Sequence, residues 1–93
     1  MALEFRVDEY IGILSEKKST RIEVRRVSWN GDPPKLDIRS WFDDAKKPGK
    51  GIPLTDLEAA LLRDILIRLD LPAPTVDYIE LARARSAVQE VDK

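Results

Sequence analysis

Apolar and polar residues alternate through much of the first half of the chain, and this period of two predicts β-strands. Leu3, Phe5 and Val7 alternate with Glu4, Arg6 and Asp8, which reads as a strand or an extended arm. Tyr10 to Glu16 is largely apolar and suits a first core strand. Lys17-Lys18-Ser19 is a polar turn, and Thr20 to Trp29 a second strand. There Ile22 and Val24 share one face, while Arg21, Arg25, Val27 and Trp29 share the other. Without a bulge, Trp29 sits beside two arginines and away from the core; a bulge at Arg25-Arg26 would turn Val27 and Trp29 inward. Asn30-Gly31-Asp32-Pro33-Pro34 is a turn, since Gly tolerates positive φ and Pro cannot donate to a ladder.

Lys35 to Phe42 predicts a third strand. Leu36, Ile38, Ser40 and Phe42 share a face that reads as core. Lys35, Asp37, Arg39 and Trp41 share the other, again an aromatic among cations. Asp43 to Gly51 reads as a flexible basic loop. Ile52-Pro53-Leu54 reads as a short fourth strand, its Pro suggesting an edge. Thr55-Asp56-Leu57-Glu58 is a capping box opening a helix to about Asp70, stopped by Leu71-Pro72-Ala73-Pro74. Leu57, Leu61, Leu62, Ile65, Leu66 and Leu69 cover nearly half of that helix, more than one sheet face needs. The surplus suits burial against a second copy, making these six the expected dimer interface; cover by the C-terminal segment within one chain is the alternative. The pattern divides the chain into a domain over 1–71 and an extension over 72–93, read as a weak helix or a partly disordered tail.

Composition sharpens the picture where it constrains chemistry. The chain has 93 residues and no Cys or His, which removes disulfides, thiolate sites and the commonest general base. Net charge is −1, but residues 15 to 50 hold ten Lys/Arg (Lys17, Lys18, Arg21, Arg25, Arg26, Lys35, Arg39, Lys46, Lys47, Lys50) against six acids (Glu16, Glu23, Asp32, Asp37, Asp43, Asp44). A basic centre in an acidic frame confines any polyanion to one surface. Met1-Ala2-Leu3-Glu4 lacks the basic start of a signal peptide, so the expected location is cytoplasmic, and nucleoid association would follow only from a DNA partner.

The chemistry points to binding and away from an enzyme. Adjacent Asp43-Asp44 makes no cation cage, and no metal or other cofactor is expected. Lys47-Pro48-Gly49-Lys50-Gly51 lacks the Walker spacing and reads as a basic clamp on a backbone. No Ser or Thr has a base in a recognisable motif. Aromatic faces stack on unpaired bases while cations track phosphates, so a sheet carrying Trp29, Trp41 and Phe42 among Arg and Lys suits one nucleic-acid strand. A hairpin with a Trp core and solvated charges fits the same residues.

The order of residues adds a resemblance. Trp29-Asn30-Gly31, then Leu36-Asp37-Ile38-Arg39-Ser40-Trp41-Phe42, then Lys46-Lys47-Pro48-Gly49-Lys50-Gly51-Ile52-Pro53-Leu54 running into a capped helix, resembles the positive-cofactor-four family of transcriptional coactivators, in its small bacterial branch. The likeness runs from about Tyr10 to about Leu69. It implies an α+β fold, a four-stranded antiparallel sheet followed by an α-helix (ββββα), a homodimer through the helix, and single-stranded DNA binding. Trp29 matches a base-stacking aromatic, Arg39 the arginine of the Asp-Ile-Arg strand, and Lys47 and Lys50 the loop lysines. Trp41-Phe42 match an aromatic pair whose second member stacks, whereas strand parity points to Trp41. The family's early basic residue falls nearest Lys17, Lys18 and Arg21.

Together these give an expected nucleic-acid surface of Lys17, Lys18, Arg21, Arg25, Trp29, Arg39, Trp41, Phe42, Lys47 and Lys50. The expected activity is sequence-tolerant single-stranded DNA binding in support of transcription, replication or repair, in which transcription or repair proteins would be the further partners. The alternatives are a dimeric protein-interaction module whose Trp side chains anchor a partner, and an RNA-binding protein, since no feature reads a 2′-hydroxyl.

Overall fold

A computed structural model describes residues 4–73. The expectations for Leu3 and for the extension over 74–93 lie outside the described residues. The chain forms four strands and a helix: β1 (Phe5–Glu16), β2 (Thr20–Trp29), β3 (Lys35–Phe42), β4 (Lys47–Leu54) and α1 (Asp56–Ile67). The strands form one antiparallel sheet in chain order, β1-β2-β3-β4. This is the ββββα arrangement.

The turns follow their residues. Asn30 and Gly31 both have positive φ (51° and 82°), and the Asp32 N–H donates to the Trp29 carbonyl at 2.9 Å. That is the geometry whose twist matches paired strands. Asn30 also ties β1 to this turn, its Oδ1 accepting from the Glu4 N–H at 3.1 Å. Between β3 and β4 the chain does something the sequence does not announce. Asp43, Asp44 and Ala45 all have positive φ (56°, 57° and 66°), closed by Lys46 N–H to Phe42 O at 2.9 Å. Left-handed backbone costs a Cβ-bearing residue about 1–2 kcal/mol. Burial of Ala45 beside Val27 and Trp41, and the Arg25 Nη2 hydrogen bond to the Ala45 carbonyl, hold the turn in place.

Two expected boundaries move. The basic loop is shorter than expected, because Lys47 to Gly51 belong to β4, with one register shift between Arg39 and Trp41. Gly51 allows this close pairing: a Cβ there would overlap the backbone of Arg39 and Ile38. Helix α1 ends at Ile67, capped by Arg68, instead of near Asp70.

The larger correction concerns which face is interior. The register of β2 with β3 is unbroken from Thr20↔Phe42 to Val27↔Lys35, so no bulge interrupts Arg25-Arg26. The shifts lie against β1, between Val7/Glu9, Tyr10/Gly12 and Ile13/Ser15, each leaving one β1 residue unpaired. Bulges bend a strand and increase its twist. β1 therefore coils across the face that carries Val27, Trp29 and Trp41, with Phe5 and Val7 packed on it. Phe5 reaches both Trp29 and Trp41, at ring separations of 5.5 and 5.6 Å. The Arg/Trp face is the interior of the sheet. The face expected as core is more open, with Phe42 41% and Ile52 55% exposed. Among the described residues, helix α1 leans on β3 and β4, and none of its own residues is buried.

Candidate nucleic-acid interface

Period-two geometry on β3 brings Asp37 and Arg39 to one face, and both meet Trp29 from β2. Asp37 is fully buried. Its Oδ1 accepts from Arg39 Nε at 2.8 Å. Its Oδ2 accepts from Arg39 Nη2 at 3.0 Å and from the Trp29 indole N–H at 3.1 Å. Arg39 Nη1 donates to the Gly49 carbonyl at 2.9 Å, tying the cluster to β4. The Arg39 guanidinium lies over the Trp29 ring, 4.5 Å from its centroid. A bidentate carboxylate contact holds a guanidinium in a defined plane. Beside these groups runs a groove of about 170 Å³, lined by Trp29, Asp32, Pro33, Lys35, Arg39 and Pro53.

A second groove, about 310 Å³, lies between the β1–β2 turn and the left-handed β3–β4 turn. Lys17, Lys18 and Arg21 line it together with Glu16, Asp43 and Asp44. Lys17 and Lys18 are exposed. Arg21 is largely covered, between Glu16 at 3.8 Å and Glu23 at 3.6 Å. Lys47 and Lys50 are exposed on β4, with Lys47 Nζ 3.8 Å from Asp43. That solvated pair adds little to stability and leaves the ammonium free to exchange partners.

The other expected residues are packed or turned away, although Trp41 borders the second groove. Arg25 and Trp41 are each 1% exposed and form structure instead of surface. Arg25 Nε donates to Glu23 Oε1 and Nη2 to the Ala45 carbonyl, both at 3.0 Å. Its guanidinium stacks on Trp41 at 3.7 Å and Tyr10 at 4.6 Å. Burial is tolerable because each cation has a carboxylate two residues away on the same face. Phe42 is exposed but faces the opposite side from Trp29, over Gly49, where a Cβ would meet its ring. Parity thus places Trp41 on the face of Trp29 and hides it there; of the pair only Phe42 is open.

Sequence reasoning overlooked Lys35 as a groove residue and Asp37 as the tether. The signal for Asp37 lay in its i, i+2 spacing to Arg39, which puts opposite charges side by side on a strand.

The family model described as Transcriptional Coactivator p15 (PC4) matches residues 16–65. A protein of Treponema pallidum (strain Nichols), described as an uncharacterized protein, is 48% identical over 50 residues. That match covers 54% of this chain and 59% of the relative, so the chain spans less than two thirds of the relative's length.

Proposed function

This chain belongs to the transcriptional coactivator p15 (PC4) family, and from that premise we propose that it binds single-stranded DNA without strong sequence preference, in support of transcription, replication or repair. The observation that carries the reading is the Arg39 guanidinium stacked on Trp29 beside a groove that Lys35 also lines. Unpaired bases stack on planar groups, and cations beside them take the phosphates. A rigid duplex hides its base faces and cannot use the same platform. The role is binding, not catalysis.

The binding unit in this reading is a homodimer joined through α1. Leu57, Leu61, Ile65, Leu66 and Leu69 are exposed on the single chain, and Leu62 is half-covered. A small domain that leaves such a row open gains about 25 cal/mol for each Å² it covers on association. The turn lysines Lys17 and Lys18 then serve as flanking contacts.

The test is fluorescence anisotropy with a labelled oligonucleotide as single strand, as duplex and as RNA, at several salt concentrations. Tight, salt-sensitive binding of the single DNA strand over the duplex is expected. Equal affinity for strand and duplex would leave only a generic basic surface. Absence of binding to any of the three would return the half-buried Trp29 and the exposed Leu residues of α1 to protein recognition.

A further inference from the structure

We propose that Asp37 is a positioning residue of the stacking site, holding the Arg39 guanidinium and the Trp29 indole together as the platform that a base meets. The inference rests on the single-strand reading and says how the site is built. One buried carboxylate accepts from both groups: two N–H donors of Arg39 and the indole N–H of Trp29. The guanidinium already covers one face of the indole, 4.5 Å from its centroid. Phe5 packs beside the same ring, its own centre 5.5 Å away. A base reaching the groove therefore meets a two-layer platform assembled before it arrives, and no side-chain freedom is lost on binding. The carboxylate neutralises Arg39, so this arginine serves by shape more than by net charge.

That assignment makes a prediction with a sign. Asp37→Asn removes a negative charge from a polyanion-binding face. If Arg39 were simply a backbone cation masked by Asp37, the variant should bind a strand more tightly and with a steeper salt slope. Positioning requires the opposite, a loss of about tenfold with the slope unchanged. Trp29→Phe keeps a ring but cannot donate to Asp37, and should lose about two- to tenfold.

The experiment measures anisotropy of a labelled oligothymidylate with the full chain and both variants across salt. Far-UV circular dichroism checks folding, and the Trp29 indole N–H resonance in the free protein reports the tether. Weaker binding by folded Asp37→Asn at unchanged slope, with a shifted indole resonance, supports the assignment. Tighter binding with a steeper slope overturns it. Should Asp37→Asn fail to fold, Trp29→Phe decides: a measurable loss supports, and wild-type affinity overturns. Failure of the wild-type chain to bind any single strand would instead overturn the function proposed above, a result distinct from wild-type binding that both variants retain.

Discussion

The Arg25 guanidinium lies 3.7 Å from the centre of the Trp41 ring, with both residues 1% exposed. A cation and an indole that look like nucleic-acid ligands in the sequence are instead the packed interior of the sheet. Trp41→Ala should therefore cost about 3–5 kcal/mol of stability. Denaturant titration checks this. A folded, equally stable variant that loses only binding would put Trp41 back on the surface.

Glu23 makes the same point from the other side of the pair. Arg25→Met would leave the buried Glu23 carboxylate without the 3.0 Å contact to Arg25 Nε. Breaking such a pair from one side costs about 3–5 kcal/mol. The double substitution Arg25→Met with Glu23→Leu should recover much of that loss, measured as a double-mutant cycle.

Stacking and charge should separate cleanly by salt. Trp29→Ala should cost about 1–3 kcal/mol of strand binding with the salt slope unchanged, since stacking releases no counterions. Lys47→Ala or Lys50→Ala should weaken binding of all sequences alike and lower the slope by at most about one. A slope change with Trp29→Ala would mean the ring supports a charge contact to the strand's backbone and not a stacking platform.

Leu61 and Ile65 are more than half exposed on the single chain. Leu61→Glu or Ile65→Glu should leave intrachain packing of the sheet untouched and abolish the proposed dimer, because a charge would be buried unpaired at its interface. Sedimentation at micromolar concentration reads the result. A dimeric Leu61→Glu would move the interface off this helix face.

Acid should weaken the start of α1 through Glu58. Its carboxyl is held below the usual carboxylate value by the Thr55 backbone N–H, with the Thr55 side chain assisting. A lowered folded pKa means the contribution is present above the ordinary Glu value and is lost as pH falls through the folded one. The stability difference between wild type and Glu58→Gln should thus shrink as pH drops below about 4, followed by helical circular dichroism.

How far the sequence revealed this protein depends on the kind of signal. The Asn30-Gly31 turn, the Thr55 cap and the parity of β2 and β3 were all legible, because each is a local rule acting within a few residues. The interior face was not. Parity correctly groups Arg21, Arg25, Val27 and Trp29, but says nothing about which side β1 coils over. That depends on the shifts at Val7/Glu9, Tyr10/Gly12 and Ile13/Ser15, which are pairing events with β2 and leave no residue signature. Glu23 with Arg25, and Asp37 with Arg39, were the available clue: same-face opposite charges make a polar face cheap to bury. The left-handed run Asp43–Ala45 was equally hidden, since Ala lacks the short polar side chain that helps Asn and Asp adopt that conformation.

Strand order that follows chain order has a kinetic consequence. Every strand of the sheet meets its partner through a short turn, so no segment waits for a distant one. Hairpins of this kind close in about 1–10 μs, and low sequence separation between partners keeps the later steps fast. The sheet thus forms at a rate independent of concentration. Any step that joins two chains through α1 is bimolecular and slows on dilution. Chain concentration, not the closing of the sheet, would then set how soon any such pair forms.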